Sequence, residues 1–172
     1  ERFVAGTVGQ PGERTFFIQA RTGARLISVS LEKTQVQALS ERLTYMIREI
    51  KQSDPTIVIQ RLTRDDAPLE TPIEEEFRIG VIGIAFDASR ELIQIDLQAV
   101  SEGDEEEPDF IDVDDLTGDQ DIMRVLISPS MADQFAKRAI SVVSAGRLPC
   151  PFCGGPIDMR GHLCPRANGY RR

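Results

Sequence analysis

The strongest constraint on the fold is a change of hydrophobic period that occurs twice along the chain. In Arg25–Leu31 apolar and polar residues alternate, which predicts a half-buried β-strand. From 32 to 51 apolar residues recur every three or four positions, which predicts an amphipathic helix. The same change separates the alternating stretch 92–100 from an apolar helical stripe that ends near Gly146. Strands with one apolar face need a cover, and two such helices supply it, so the sequence predicts an α+β fold.

Further apolar segments supply the remaining strands of the predicted sheet. They lie at 3–8, 15–20, 77–87 and 122–127. The sequence Gly9-Gln10-Pro11-Gly12 is a turn signal between the first two. The pair Ser128-Pro129 predicts the start of the second helix, because serine caps helix N-termini and proline fits the first helical position. The ambiguous stretch 56–62 is interpreted as a candidate edge strand, and 64–76 as a loop.

The predicted order of elements is β-β-β-α twice, at 3–51 and at 77–146. We therefore interpret 1–146 as one domain with a two-layer, mainly antiparallel sheet packed by two helices, which arose by duplication. The alternative is that no repeat exists, because successive hairpins followed by a helix are common. The remaining residues, 147–172, are interpreted as a separate tail.

Charge is unevenly distributed along the chain. The net charge is −8, but eleven acids and no Lys or Arg lie within 101–121, so the rest of the chain carries +3. This acidic insertion is interpreted as a solvated linker, because like charges repel each other. Apolar residues among the acids leave a second interpretation open, in which the segment docks on a basic groove of this chain or another. These apolar residues are Phe110, Ile111, Val113 and Leu116.

All three cysteines and the only histidine lie within fifteen residues, in the spacing C-x2-C-x8-H-x-C. The half-site Cys150-Pro-Phe-Cys153-Gly can form a tight turn whose backbone N–H groups point at the thiolates. His162 and Cys164 supply two further ligands. Three thiolates and one neutral imidazole fill the tetrahedral shell of Zn²⁺, so the sequence predicts one structural zinc ion in a zinc knuckle. Four protein ligands leave no position open for a catalytic water.

Three alternatives to zinc compete for this cluster. A disulfide between Cys150 and Cys153 would leave Cys164 unpaired, and nothing in the sequence indicates an oxidising compartment. A redox Cys-x-x-Cys usually begins a helix, which the prolines and glycines around Cys153 oppose. The third alternative is that the four residues are unrelated to one another.

Both ends of the chain carry distinctive motifs. They are Phe3-Val-Ala-Gly-Thr-Val-Gly9, Arg14-Thr-Phe-Phe17 and the ending Cys150-Pro-Phe-Cys153-Gly…Gly161-His-Leu-Cys164-Pro-Arg-Ala-Asn-Gly169. Together they resemble an actinobacterial family known as domain-of-unknown-function family 3090. The resemblance covers essentially the whole chain and implies a cytoplasmic bacterial protein with no established activity. The family's ending matches here at Cys150, Cys153, His162, Cys164, Arg166, Asn168 and Gly169.

The residues favour a non-catalytic protein over an enzyme. No P-loop, dinucleotide fingerprint or nucleophile elbow is present, and the only histidine is assigned to zinc. The paired acids Asp65-Asp66 lie in the predicted loop and are interpreted as solvated. We therefore expect a protein-interaction or assembly module that binds an unknown protein or a second copy of itself.

The alternative function is binding of single-stranded RNA by an open sheet face and the basic tail. Candidate binding residues in the tail are Arg160, Arg166, Asn168, Tyr170 and Arg171, with Arg172 beside them. No apolar run approaches the roughly 18 to 20 residues of a membrane span, so no membrane partner is expected. The start Glu1-Arg2-Phe3-Val4 resembles the middle of a strand, so we expect the native protein to extend upstream.

Overall fold

Seven strands and two helices make up the described part of a computed structural model, which comprises residues 1–101, 110–116, 119–146, 150–153 and 164. The elements are β1 (Arg2–Val8), β2 (Thr15–Thr22), β3 (Arg25–Leu31), α1 (Lys33–Ser53), β4 (Glu75–Asp87), β5 (Leu92–Ala99), β6 (Phe110–Ile111), a 3₁₀ turn (Val113–Asp115), β7 (Ile122–Ile127) and α2 (Pro129–Ser144). This architecture confirms the predicted α+β class with a mainly antiparallel sheet and two helices.

The sheet joins two antiparallel meanders side by side in the order β1-β2-β3-β4-β5-β7. Within the first meander Ala5 lies opposite Ile18, and within the second Ile82 lies opposite Leu97. The two meanders meet through the parallel pairing of β3 with β4. The short strand β6 pairs in parallel with the later part of β4. Three strands and then a helix therefore occur twice, with β6 and the 3₁₀ turn inserted in the second unit, while descent from a duplication stays a prediction.

Local sequence explains where the elements begin and end. Gly9 and Gly12 have φ angles of +101° and +100°, so they turn the chain between β1 and β2 as predicted. A capping box between Glu32 and Gln35 starts α1. At α2 the Ser128 hydroxyl accepts the Met131 N–H, and proline occupies the first turn. Apart from the stretch 56–62, the predicted helix and strand limits lie within two residues of the bounds given above.

Both helices pack on one face of the sheet and share a single core. The apolar stripe of α1 supplies Leu39 and Leu43, which are fully buried with Ile18 of β2 and Ile95 of β5. In α2 the buried Phe135 stacks on Phe3 of β1, with ring centroids 4.5 Å apart. Burial of an aromatic side chain of this size stabilises the fold by about 3 kcal/mol. The core therefore links the first strand to the last helix.

The opposite face of the sheet is covered at two places, although the RNA-binding hypothesis required an open face. Over the first meander Leu69 packs on Val4 and Phe17. Over the second meander, the segment 110–116 brings Val113 and Leu116 against Gly83. This part of the acidic insertion docks on the sheet through its apolar residues, whereas residues 102–109 lie outside the described part. The solvated-linker interpretation is therefore wrong for 110–116.

The segment 57–65 contains no strand, so the interpretation of 56–62 as an edge strand is wrong. It follows one face of α2, to which it is tied by hydrogen bonds. Gln60 donates its N–H to the Ser130 hydroxyl at 3.0 Å, and Arg64 donates to the Ser141 hydroxyl at 2.7 Å. Gln134 donates to the Thr63 carbonyl between these two contacts. Side chains of α2 therefore pair with the Gln60 N–H and the Thr63 carbonyl, two backbone groups that a strand would place in a ladder.

None of the helices in the described ranges is both long and apolar enough to cross a membrane.

Candidate metal centre

The three cysteines lie together in the structure, as the sequence predicts. Their sulfur atoms are within 4.8 Å of one another, and those of Cys150 and Cys164 are 3.7 Å apart. Cys150 and Cys164 are buried and Cys153 is partly exposed, and all three are free thiols. Residues separated by as many as fourteen positions therefore present their sulfur atoms to one point.

This arrangement fits a tetrahedral metal ion. Zinc–sulfur bonds of about 2.3 Å at the tetrahedral angle place two sulfurs about 3.8 Å apart. The Cys150–Cys164 separation of 3.7 Å matches that spacing. It is much longer than the about 2.05 Å of a disulfide bond. Three close cysteines can hold a metal ion, and soft thiolates select Cu(I), zinc or an iron–sulfur cluster.

The turn at Cys150–Cys153 also favours the thiolate form that a metal needs. Residues 151–153 form a turn in which the backbone N–H groups of Cys153 and Phe152 donate to the Cys150 sulfur. These hydrogen bonds, the one from Cys153 above all, lower the pKa of Cys150 to about 6. At neutral pH this sulfur is therefore ready to bind a metal without first losing a proton. The sequence predicted these N–H groups from the Cys-Pro-Phe-Cys half-site.

The predicted fourth ligand, His162, lies outside the described residues. The candidate binding residues of the tail lie outside them as well: Arg160, Arg166, Asn168, Tyr170 and Arg171. These assignments stay predictions.

Arg14 fixes the point at which the chain leaves α2 toward the cysteines. Its guanidinium donates to the carbonyls of Val142 and Ala145, at 3.4 Å and 2.7 Å, and lies 5.1 Å from the ring centroid of Phe16. The last carbonyls of a helix have no partner within the helix, and its negative dipole end attracts a cation. The β1–β2 hairpin therefore anchors the helix end a few residues before Cys150 is reached.

An ion-pair network surrounds Asp65. The sequence predicts a solvated acid at this position, because it lies in a predicted loop. The Asp65 carboxylate accepts from Arg2 at 2.6 Å and 3.0 Å, and Arg138 lies 3.3 Å away. The hydrogen bond from Arg2 is the main reason that the pKa of Asp65 is lowered. Arg138 also donates to the Ala5 carbonyl at 2.7 Å. The network joins three segments that are distant in sequence, so no local pattern could reveal it.

A second ion pair holds Asp96, which the alternation places on the outward face of β5. Its side chain is nevertheless fully buried. Arg124, directly opposite on β7, binds it at 2.8 Å and 2.7 Å, and Gln94 donates to it at 2.9 Å. The hydrogen bond with Asp96 raises the pKa of Arg124. This contact depends on the pairing of β5 with β7, which the acidic insertion separates in sequence. It could be found only once the register of these two strands was known.

Comparison with known proteins places the whole fold in one family. No curated protein and no solved structure matches the chain. A family model does match, over residues 1–164, and therefore spans both meanders, both helices and all three cysteines. The chain belongs to the family described as protein of unknown function, DUF3090.

Proposed function

We propose that this protein is a non-catalytic zinc-binding protein in which the metal orders the tail. The observation that carries the proposal is the convergence of the Cys150, Cys153 and Cys164 sulfurs within 4.8 Å. His162 would complete the shell, and four protein ligands leave no open coordination position. The ion would therefore be structural. It would replace the hydrophobic core that a segment this short lacks.

The experiment is metal analysis of the purified protein. We expect about one zinc ion per chain, which Cys150→Ser should abolish, because loss of one thiolate breaks a four-ligand site. His162→Asn tests the fourth ligand and should weaken zinc retention against a competing chelator. Ser144→Ala, at the last residue of α2, is the control that should keep its zinc. A wild-type protein that is metal-free and retains its native circular dichroism would refute the metal site.

The role that this site supports best is that of an interaction or assembly module. A structural ion holds a surface in shape without performing chemistry, and the chain carries separate acidic and basic regions that can pair with charged partners. Binding of single-stranded RNA is less well supported, because Phe17 on the outer face of β2 is packed under Leu69 and cannot stack on a base.

Affinity capture from native lysate, with and without RNase, separates these two functions. The interaction module predicts a protein partner that co-purifies with the wild-type chain and remains after RNase treatment. Capture of RNA alone, abolished by RNase, would decide for the RNA-binding alternative.

A further inference from the structure

One edge of the sheet has backbone groups that no other part of the described chain pairs. β7 is an end strand, and its ladder is made with β5 alone. The Ala99 N–H donates to the Asp121 carbonyl, and hydrogen-bonded positions recur every second residue in an antiparallel pair. The backbone N–H and C=O groups of Met123, Val125 and Ile127 therefore point toward β5. The N–H and C=O groups of the alternate residues, Ile122, Arg124 and Leu126, point away from the sheet.

The opposite edge of the sheet is protected, which shows that this fold does not leave both edges open. Helix α2 packs along β1, and the buried Arg138 donates to the Ala5 carbonyl. The edge of β7 has neither a helix nor a side-chain donor of this kind in the described residues. Proteins usually block an exposed edge, since it is a template for another strand.

The side chains along the β7 edge suit a partner strand with an apolar character. Ile122 and Leu126 are 41% and 38% exposed, so an added strand can bury apolar surface there. The second half of β7 opens on a groove of about 260 Å³, whose apolar lining includes Phe3 and Met131. Side chains of an added strand that point inward would enter this groove, and those that point outward would cover Ile122 and Leu126.

The edge carries an exposed guanidinium group. Arg124 lies between Ile122 and Leu126, and its side chain is 56% exposed. Its Nε and one Nη donate to the Asp96 carboxylate. The other Nη makes no hydrogen bond to the described residues. On the wall across the groove, Arg2 and Arg21 are already ion-paired with Asp65 and Glu70, so among the described residues Arg124 is the cation that a partner strand would meet on this edge.

We propose that the β7 edge adds an extended peptide from a partner protein, with an acidic residue opposite Arg124 and apolar residues at the alternate positions on either side. This proposal names the partner of the interaction module and rests on that proposed function. Backbone hydrogen bonds would supply affinity, and the alternate side chains would supply specificity. A second copy of this chain fits the edge less well, because symmetric pairing about Arg124 would place two arginines directly opposite each other, which is destabilising.

The probe is the labelled peptide acetyl-Lys-Val-Thr-Glu-Thr-Val-Lys-amide, titrated with the zinc-loaded protein and followed by fluorescence anisotropy. The matched peptide has Lys in place of the central Glu. We expect saturable binding of the Glu peptide and binding at least about tenfold weaker for the Lys peptide, because the central residue meets an opposite or a like charge. Raising the salt concentration should narrow this difference.

Two variants test the edge itself. Leu126→Pro removes an N–H that faces away from β5, so the ladder should survive while peptide binding is lost. Its control is Val58→Pro, at a residue that is 75% exposed and outside any strand, and this variant should bind like the wild type. Leu126→Glu keeps the backbone donor, adds a like charge beside the peptide and should also weaken binding of the Glu peptide.

Equal binding of the two peptides, or undiminished binding by both Leu126 variants, would overturn the proposal. A concentration-dependent dimer of the wild type that Leu126→Pro abolishes would also overturn it, since the occupant would then be a second copy. Metal content and partner capture report on the proposed function separately. Suppose that the zinc-loaded wild type and Leu126→Pro capture an RNase-resistant protein partner equally well. The proposed function would then stand, and only the β7 edge as the binding site would be refuted.

Discussion

Replacing Asp65 with Asn should destabilise the fold far more than the same change one residue later. Asp65 accepts hydrogen bonds from Arg2 at 2.6 Å and 3.0 Å and lies 3.3 Å from Arg138. The side chains of these arginines are only 13% and 8% exposed, and that of Asp65 is 21% exposed. Asn keeps the shape and one acceptor oxygen but loses the charge. It leaves two largely buried cations facing an amide, with the Glu70 carboxylate at 3.5 Å from Arg2 as a remaining acidic partner.

The magnitude follows from these contacts. Breaking a buried ion pair by removing one partner costs about 3 to 5 kcal/mol, because the remaining charge stays uncompensated. The partial exposure of Asp65 and the acceptor retained by Asn place the loss at the lower end, about 3 kcal/mol. By contrast Asp66 pairs with Arg64 at the surface, where the two side chains are 67% and 54% exposed. Asp66→Asn should therefore cost less than about 0.5 kcal/mol.

Urea unfolding followed by circular dichroism measures this difference. With a slope of about 2 kcal/mol per molar urea, Asp65→Asn should lower the midpoint by about 1.5 M, and Asp66→Asn should leave it almost unchanged. The reasoning would be refuted if both variants unfolded at midpoints within the error of each other. It would also be refuted if Asp65→Asn were as stable as the wild type.

Two further predictions come from the same structure. The pKa of Asp65 is lowered in the folded state, so its contribution to stability should be fully present above its unfolded pKa of about 3.9 and be lost as the pH falls through the lower folded value. The urea midpoints of wild type and Asp65→Asn, measured from pH 7 to pH 2, should therefore converge at the acid end. A difference in midpoint that stays constant with pH would show that the Asp65 charge is not the cause of the destabilisation. Gly80→Ala should destabilise by about 2 kcal/mol, because the added Cβ would lie 2.7 Å from the Val100 Cα, in backbone that cannot easily move. Gly146→Ala, whose Cβ would meet nothing closer than 3.8 Å, is the control, and equal thermal midpoints for the two variants would argue against the close approach.

Most of the fold could be predicted from the sequence because its elements are defined locally. The period change at the end of β3, the glycines of the first turn and the Ser128-Pro129 cap each act within a few residues. Two segments that were missed or misassigned from the sequence are not defined locally. β6 is two residues long and lies among acids, and the segment 57–65 is held by α2, so neither has a period of its own.

The cysteine cluster of the candidate metal centre was equally predictable, since thiol chemistry and ligand spacing are local properties. Cys150, Cys153 and Cys164 were identified from spacing alone, and the structure brings their sulfurs within 4.8 Å. The polar contacts that join distant segments could not be found in this way. Asp65 and Asp66 are adjacent identical residues, yet one is central to an ion-pair network and the other lies at the surface.

The sequence by itself determined the class of the fold, the direction of each apolar face and the three cysteines able to bind a metal. These depend on period, turn chemistry and side-chain type, all of which act over a few residues. Only the tertiary structure decided that β3 and β4 join two meanders into one sheet, and that α2 protects the β1 edge while β7 stays open in the described part of the chain. These outcomes depend on which distant segments are brought together, and that is settled by packing of the shared core.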